Sequence, residues 1–231
     1  MIKINNINLI YNNIHIIKNF SDKILYGEKI ALVGSNGCGK SSILKILLKK
    51  LLPNNGSVTY SNQIKIQELD QEYDLLEKNN SVLENLSYGK DSIEINKKTY
   101  TIIGLLKKFL FSEDQIYSPA KSLSGGEISR LLLLKLFFKP SNVLILDEPT
   151  NHLDFKMLNF LEKFLMNYTG TVIFASHDRY FVNKISKKLW FFNKKGSISV
   201  NIGDIENIYQ KIYKEKKFSL KTIIKKNLKL E

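Results

Sequence analysis

Cysteine is almost missing from this sequence: of 231 residues, only Cys38 carries a thiol. A lone cysteine excludes an internal disulfide framework and suits a reducing compartment. Long apolar runs are missing too. None approaches the ~20 residues that a membrane-spanning helix needs, so no transmembrane segment is expected. The opening MIKINNINLIY has no basic n-region, no long apolar stretch and no A-x-A site, and does not read as a secretory leader. The expected location is cytoplasmic. Apolar residues at 43% and charged residues at 25% exclude intrinsic disorder as the main description. The length fits one large domain or two small ones, with room for a real core.

Arginine is the other scarcity. The chain holds 35 basic and 22 acidic residues, a net charge of +13, yet only Arg130 and Arg179 are arginines. Lysine together with heavy Asn and Ile use fits an AT-rich coding sequence and a solvated surface. The same excess fits a footprint for the phosphate backbone of RNA or DNA, and composition divides evenly between the two. Nothing in it points to DNA specificity.

Periodicity predicts an α/β domain with a largely parallel sheet. The first ten residues alternate as a strand or hairpin would. KIALV (29–33) reads as a strand, Ser42 to Leu52 as a helix ended by Pro53, and SVTYS and QIKIQEL as strands. The stretch from Val82 to Phe138 reads as mainly helical, broken near Gly104 and at Ser118-Pro119. Asn142 to Asp147 is continuously apolar up to its aspartate, the pattern of a strand buried in a parallel sheet. A helix over 155–168, a strand over 171–175, a helix near 179–185 and strands at 188–193 and 197–200 complete the pattern. The block at about 80–140 is expected to form a helical subdomain, within a domain covering 1–207.

Chemistry concentrates in two places. Gly34, Ser35, Asn36, Gly37, Cys38, Gly39, Lys40 and Ser41 fit G-x-x-x-x-G-K-[ST] between a strand and a helix. The glycines let backbone N–H groups close around phosphate oxygens, and the helix beginning near Ser42 adds its positive end. Lys40 is expected to reach the β- and γ-phosphates, and the Ser41 hydroxyl to bind Mg²⁺. A functionless glycine turn does not fit this strand–loop–helix context. In VLILDEPTNHLD (143–154), Asp147 ends a buried strand where a carboxylate can hold Mg²⁺, and Glu148 is placed to orient and deprotonate water. Acidic residues capping a strand end would be the bland reading of these two, and the phosphate loop tips the balance to function.

Leu123-Ser124-Gly125-Gly126-Glu127 resembles the signature motif of the ATP-binding-cassette (ABC) ATPases, and other motifs of that family follow in order. Gln71 matches its Q-loop glutamine, Leu153-Asp154 its D-loop, and His177 in ASHDRYF its switch histidine. Tyr11 looks like the aromatic that stacks on adenine. DEPTNHLD and SHDRYF resemble the ABC-F branch, whose members act on ribosomes, and FLFSEDQIYSPAKSLSGGE resembles the second cassette of such a protein. The resemblance implies an ABC-type nucleotide-binding domain with an antiparallel β subdomain and a helical subdomain. It implies Mg²⁺-dependent ATP binding and hydrolysis, with Glu148, His177 and Gln71 catalytic and Ser41, Gln71 and Asp147 around the metal. Ser124, Gly125, Gly126 and Glu127 would face the ATP of a second cassette, in a homodimer or on another chain. The ribosome and its RNA are the implied partner, in translation or antibiotic resistance. The alternative is the ATPase subunit of a membrane transporter, with a membrane protein as partner.

Other residues carry less. Cys38 reads as a small filler, although a helix N-terminus and Lys40 nearby could lower its pKa. His15 and His152 stand alone, without the Cys/His cluster of a metal site. The Leu131–Leu134 run and Phe137-Phe138 read as core, and Trp190-Phe191-Phe192 as a strand. The tail over 208–231 is lysine-rich with apolar residues at roughly helical spacing. It reads as a docked or frayed amphipathic helix, or as a basic helix meeting ribosomal RNA or leading to another cassette.

Overall fold

The computed structural model describes residues 1–69, 76–87, 89–95, 98–138, 141–151, 153–193 and 195–203, with Glu206, Ile208 and Gln210. Gln71, His152, the side chains of Phe137 and Phe138, and most of the 208–231 tail therefore lie outside the described residues.

Two sheets organise the chain. The first is antiparallel, in the order β2-β1-β4, from β1 (Ile2–Tyr11), β2 (Ile14–Ile24) and β4 (Asn55–Tyr60). The second has six strands in the order β11-β10-β3-β9-β8-β5. Its members are β3 (Lys29–Val33), β5 (Ile66–Leu69), β8 (Val143–Asp147), β9 (Thr171–Ala175), β10 (Lys188–Phe192) and β11 (Ile198–Ile202). Only β11 runs antiparallel to its neighbour. Strands that are apolar at successive positions must bury both faces, and here they do. Ile30, Leu32, Ile145, Ile173, Ala175 and Trp190 face one core, shared with β1, β2 and helix α1 (Lys40–Leu47). Ala31, Leu144, Leu146, Val172, Phe174 and Leu189 face the other. That second core is closed by α5 (Gly125–Phe138), α6 (Phe155–Asn167) and α7 (Arg179–Ile185), with the short helices α2 (Val82–Ser87), α3 (Ile102–Lys108) and α4 (Glu113–Tyr117).

The expected α/β architecture with its antiparallel β subdomain is present. Of three local features, the first agrees with the strand or hairpin expected of the opening residues, while the second and third correct expectations. First, β1 and β2 form a hairpin whose two-residue turn is Asn12-Asn13, both at positive φ (49° and 61°). Asn tolerates that region, so the turn matches the twist of the strands it joins. Second, the block read as helical contains a hairpin, β6 (Ser92–Ile95) with β7 (Lys98–Thr101), where the residues alternate with period two. Gly104 does not break a helix there. It lies in the first turn of α3 and donates its N–H to the cap Thr101 Oγ1 at 3.1 Å; a Cβ on Gly104 would crowd that oxygen at 2.7 Å. The expected break at Ser118-Pro119 holds: α4 stops at Tyr117 and Ser118 is extended. Third, α1 ends at Leu47 rather than near Leu52, because Lys49 turns into the left-handed region (φ 61°) and Lys50 bonds back to Lys45. Among the described residues no helix is long and apolar enough to cross a membrane.

The sheets are joined by a buried polar clasp. Asp22 Oδ2 of β2 accepts from Trp190 Nε1 at 2.7 Å and pairs with Lys188 Nζ at 2.7 Å, both on β10. Lys188 also donates to Lys23 O, and Phe20 meets the Trp190 ring edge-on at 4.8 Å. Removing the carboxylate leaves the indole N–H without this acceptor and the nearly enclosed ammonium with only Lys23 O and Glu28 Oε2, the latter 3.5 Å away. Asp22→Ala should therefore lower stability by about 3 kcal/mol, read as a shifted urea midpoint with an unchanged m-value.

Candidate nucleotide site

The phosphate loop, residues 34–39, follows the end of β3 and is pressed between two strands. A Cβ on Gly34 would come within 2.8 Å of Phe192 Cβ, and one on Gly39 within 2.8 Å of Ile16 Cγ2. Gly39 also sits at φ 105° as the N-cap of α1 and makes no side-chain cap bond. The first N–H groups of α1 therefore meet no capping side chain, the condition under which a helix end takes an anion. Lys40 is nearly enclosed at 7% exposure, and its Nζ donates to Gly34 O at 3.1 Å and Ser35 O at 3.3 Å. Beside the loop runs a groove of about 410 Å³ lined by Gly37, Gly39, Lys40, Ser41, Ser42, Ile16, Leu9 and Tyr11. Its size is that of a small-ligand pocket. Tyr11, at the end of β1, is 69% exposed and leaves a ring face for a base to stack on.

The chemistry gathers at the ends of β8 and β9. Asp147 pairs with Ala175 as the last residue of β8. Glu148 then turns left-handed (φ 46°) and donates its N–H to Ala175 O at 3.0 Å. For a glutamate this conformation costs about 1 kcal/mol, and it turns the chain at the end of the strand. Glu148 Oε2 accepts from the His177 N–H at 3.3 Å, and Oε1 lies 3.5 Å from His177 Nε2. The same Nε2 is 3.2 Å from Lys40 Nζ. It can accept from Lys40 or donate to Glu148, but not both, so one imidazole proton decides which contact holds. Residues remote in sequence, Lys40, Glu148 and His177, thus form one cluster. Ser41 at the start of α1 and Asp147 at the end of β8 offer a hydroxyl and a carboxylate oxygen, hard donors of the kind Mg²⁺ takes alongside phosphate and water.

Two motif aspartates serve as helix caps. Asp154 Oδ1 accepts from Met157 N at 2.9 Å to start α6, and Asp178 Oδ1 from Phe181 N at 3.1 Å to start α7. At the signature, Ser124, Gly125 and Gly126 are exposed and Glu127 is half-buried. Glu127 Oε2 accepts from Ser124 N–H and Oγ–H, both at 2.7 Å, while Oε1 accepts from Gln115 Nε2 at 2.6 Å and lies 3.7 Å from Arg130. The Ser124 hydroxyl, first among these bonds, holds the Glu127 carboxyl below its ordinary range. Gln115 lies within the stretch FLFSEDQIYSPAKSLSGGE, but the sequence reading gave it no role. The Ser112-x-x-Gln115 spacing of a capping box is the signal that could have found it. Cys38 is enclosed, in keeping with a small filler, and burial pushes its thiol up, outweighing the downward pull of Lys40.

A phosphate loop whose lysine meets a strand-end glutamate and a histidine belongs to the P-loop nucleoside triphosphatases. The ABC transporter family model matches residues 17–151, more than half of the chain, so the chain belongs to that family, one of ATP-hydrolysing P-loop domains that use ATP with Mg²⁺. It is similar to the ATP-binding protein Uup of Buchnera aphidicola subsp. Acyrthosiphon pisum (strain APS), at 46% identity over 99% of the chain and 40% of that protein. It is also similar to the ATP-binding protein Uup of Escherichia coli (strain K12), at 42% identity over 83% of the chain and 30% of that protein. The chain thus spans well under half the length of these relatives. Among solved structures, the fold matches a dimeric ATP-binding cassette in a post-hydrolysis state bound to ADP and Pi (TM-score 0.67, 21% identity, 87% of this chain and 98% of that one). A Clostridium perfringens cassette that is part of an ABC transporter complex matches at TM-score 0.66 and 24% identity, over 95% of this chain and 94% of that one.

The enclosed, raised thiol of Cys38 should react with iodoacetamide at neutral pH at least about tenfold more slowly than free cysteine, and at the free rate once urea unfolds the chain. Labelling of the folded chain at the free rate would contradict this account of the loop.

Proposed function

We propose that this chain is an ATP-hydrolysing cassette of the ABC-F branch that completes its sites against a second cassette and acts on the ribosome in the cytoplasm. The observation that carries hydrolysis is the cluster in which His177 Nε2 lies 3.2 Å from Lys40 Nζ and 3.5 Å from Glu148 Oε1. Supporting the branch are DEPTNHLD, SHDRYF and the similarity to Uup proteins over most of the chain. Their greater length accommodates a further cassette, and the matched cassette structure described as dimeric illustrates the pairing.

In this reading Tyr11 stacks on adenine, and residues 34–42 wrap the phosphates with backbone N–H groups from the loop and the start of α1. Lys40 turns from the carbonyls of Gly34 and Ser35 to the β- and γ-phosphates. Ser41, Asp147 and Gln71 hold Mg²⁺, which when bound neutralises phosphate charge. Glu148 orients the attacking water and takes its proton, and His177 bonds to the γ-phosphate. Ser124, Gly125 and Gly126 meet the nucleotide of the second cassette, with Glu127 behind them. Catalysis is then positioning and electrostatics around the transferred phosphoryl group. Closure on ATP and opening after hydrolysis act as the output through different affinities for the two states.

Glu148→Gln should cut turnover at least about 100-fold while ATP binding persists. The same variant should sediment with ribosomes in ATP but not in ADP, and continue to do so at moderate salt. Sedimentation that ignores the nucleotide and vanishes with salt would reduce the ribosomal reading to lysine charge on RNA. No sedimentation in either nucleotide would favour a transporter subunit.

A further inference from the structure

The signature is wired to the segment before it through one side chain. Gln115 Oε1 accepts from the Ser112 N–H at 2.9 Å, which fixes the orientation of the amide, and Nε2 then donates to Glu127 Oε1 at 2.6 Å. Gln115 N in turn donates to Ser112 Oγ at 3.2 Å, so the side chain cannot turn over without breaking a capping box. Arg130 makes a second tie between the same two segments. It lies over the Phe111 ring at 5.4 Å, donates to Phe109 O at 3.4 Å, and stands 3.7 Å from Glu127 Oε1. The outer oxygen of Glu127 is left for Ser124. Ser124 is exposed, and a Cβ added at Gly126 would meet nothing within 4 Å, so this tip is open to a second molecule.

We propose that Gln115 is a positioning residue for ATP turnover, clamping Glu127 so that Glu127, which holds the Ser124 N–H, in turn sets the hydroxyl of Ser124 toward a second cassette's nucleotide. The inference rests on the reading above that the signature meets a partner's ATP. The Ser124 hydroxyl has one proton, held by Glu127 Oε2, and must turn it outward to donate to a phosphate. The bond from Gln115 and the ion-pair contact from Arg130, both on the other oxygen, keep the carboxylate in place while that proton leaves. Without them Glu127 swings off Ser124, which frees the Ser124 N–H to exchange and leaves the hydroxyl unplaced, and turnover falls.

The bonding can be inverted. In Gln115→Glu the new carboxylate still accepts from Ser112 but faces Glu127 with like charge. In Glu127→Gln two amide NH₂ groups compete for too few acceptors. Combined, Gln115→Glu with Glu127→Gln restores the bond with donor and acceptor exchanged, and the amide oxygen introduced by Glu127→Gln still accepts from Ser124. The full chain would be compared as wild type, both single variants, Gln115→Leu and the double variant. Readouts are amide hydrogen exchange at Ser124 by NMR, affinity for ATP, and kcat. Each single variant should exchange about tenfold faster at Ser124 and lose about tenfold in kcat, and the Gln115 variants should keep their ATP affinity because Gln115 lies outside the phosphate groove. The double variant should return within about threefold of wild type on both measures. A double variant no better than the worse single one, or a Gln115→Leu variant matching wild type in exchange and kcat, overturns the proposal. A wild-type chain that shows the exchange pattern without turnover supports the clamp and removes the hydrolysis reading instead.

Discussion

Parallel pairing of β10, β3, β9 and β8 fixes where chemistry can occur in this molecule. Phe191 stands beside Val33, Leu32 beside Ala175, and Ala175 beside Asp147, so these strands finish level with one another. Their faces are filled by two cores, which leaves the loops beyond their ends as the ground for polar side chains. The phosphate loop leaves β3 there, Glu148 leaves β8, and His177 leaves β9 two residues on. No long-range contact has to be invented to bring them together; the register does it. Crevices at the carboxyl ends of parallel strands bind ligands for this reason.

Within that frame, several motif residues carry structural duties as well. Asp154 and Asp178 start helices α6 and α7, so the segments around the D-loop and His177 are anchored by the same side chains that mark them in sequence. Glu148 accepts a left-handed backbone, and the N–H it donates to Ala175 ties that turn to the neighbouring strand. Lys40 is held by carbonyls of its own loop. The two caps and the Glu148 turn stiffen the site before any nucleotide arrives, which favours electrostatic catalysis with little reorganisation. Lys40 is the side chain that must exchange its carbonyls for phosphate.

Much of this was legible in the sequence because it is local. The strand of residues 143–147, the phosphate loop and the helix from Arg179 announce themselves in a few consecutive residues. The two hairpins were harder. Asn12-Asn13 is a turn only through its positive φ angles, and Ser92–Thr101 is short enough for its alternation to be lost in a helical block. Contacts between segments were not legible at all. Nothing in the sequence says that Cys38 is enclosed, that Trp190 binds Asp22, or that Gln115 reaches Glu127. Gln71 and the lysine-rich tail remain expectations, since both fall outside the described residues.

The close approach of Gly39 to Ile16 has a consequence for how this molecule can vary. A phosphate loop normally tolerates change in the strands around it as long as its own residues are kept. Here the van der Waals surface of a β2 side chain fills the space a Cβ would need, and Phe192 of β10 does the same at Gly34. Drift in size at Ile16 or Phe192 is therefore coupled to the two glycines: a larger neighbour pushes the loop, and a smaller one opens a void behind it. Size at Ile16 and Phe192 should covary with the residues at 39 and 34.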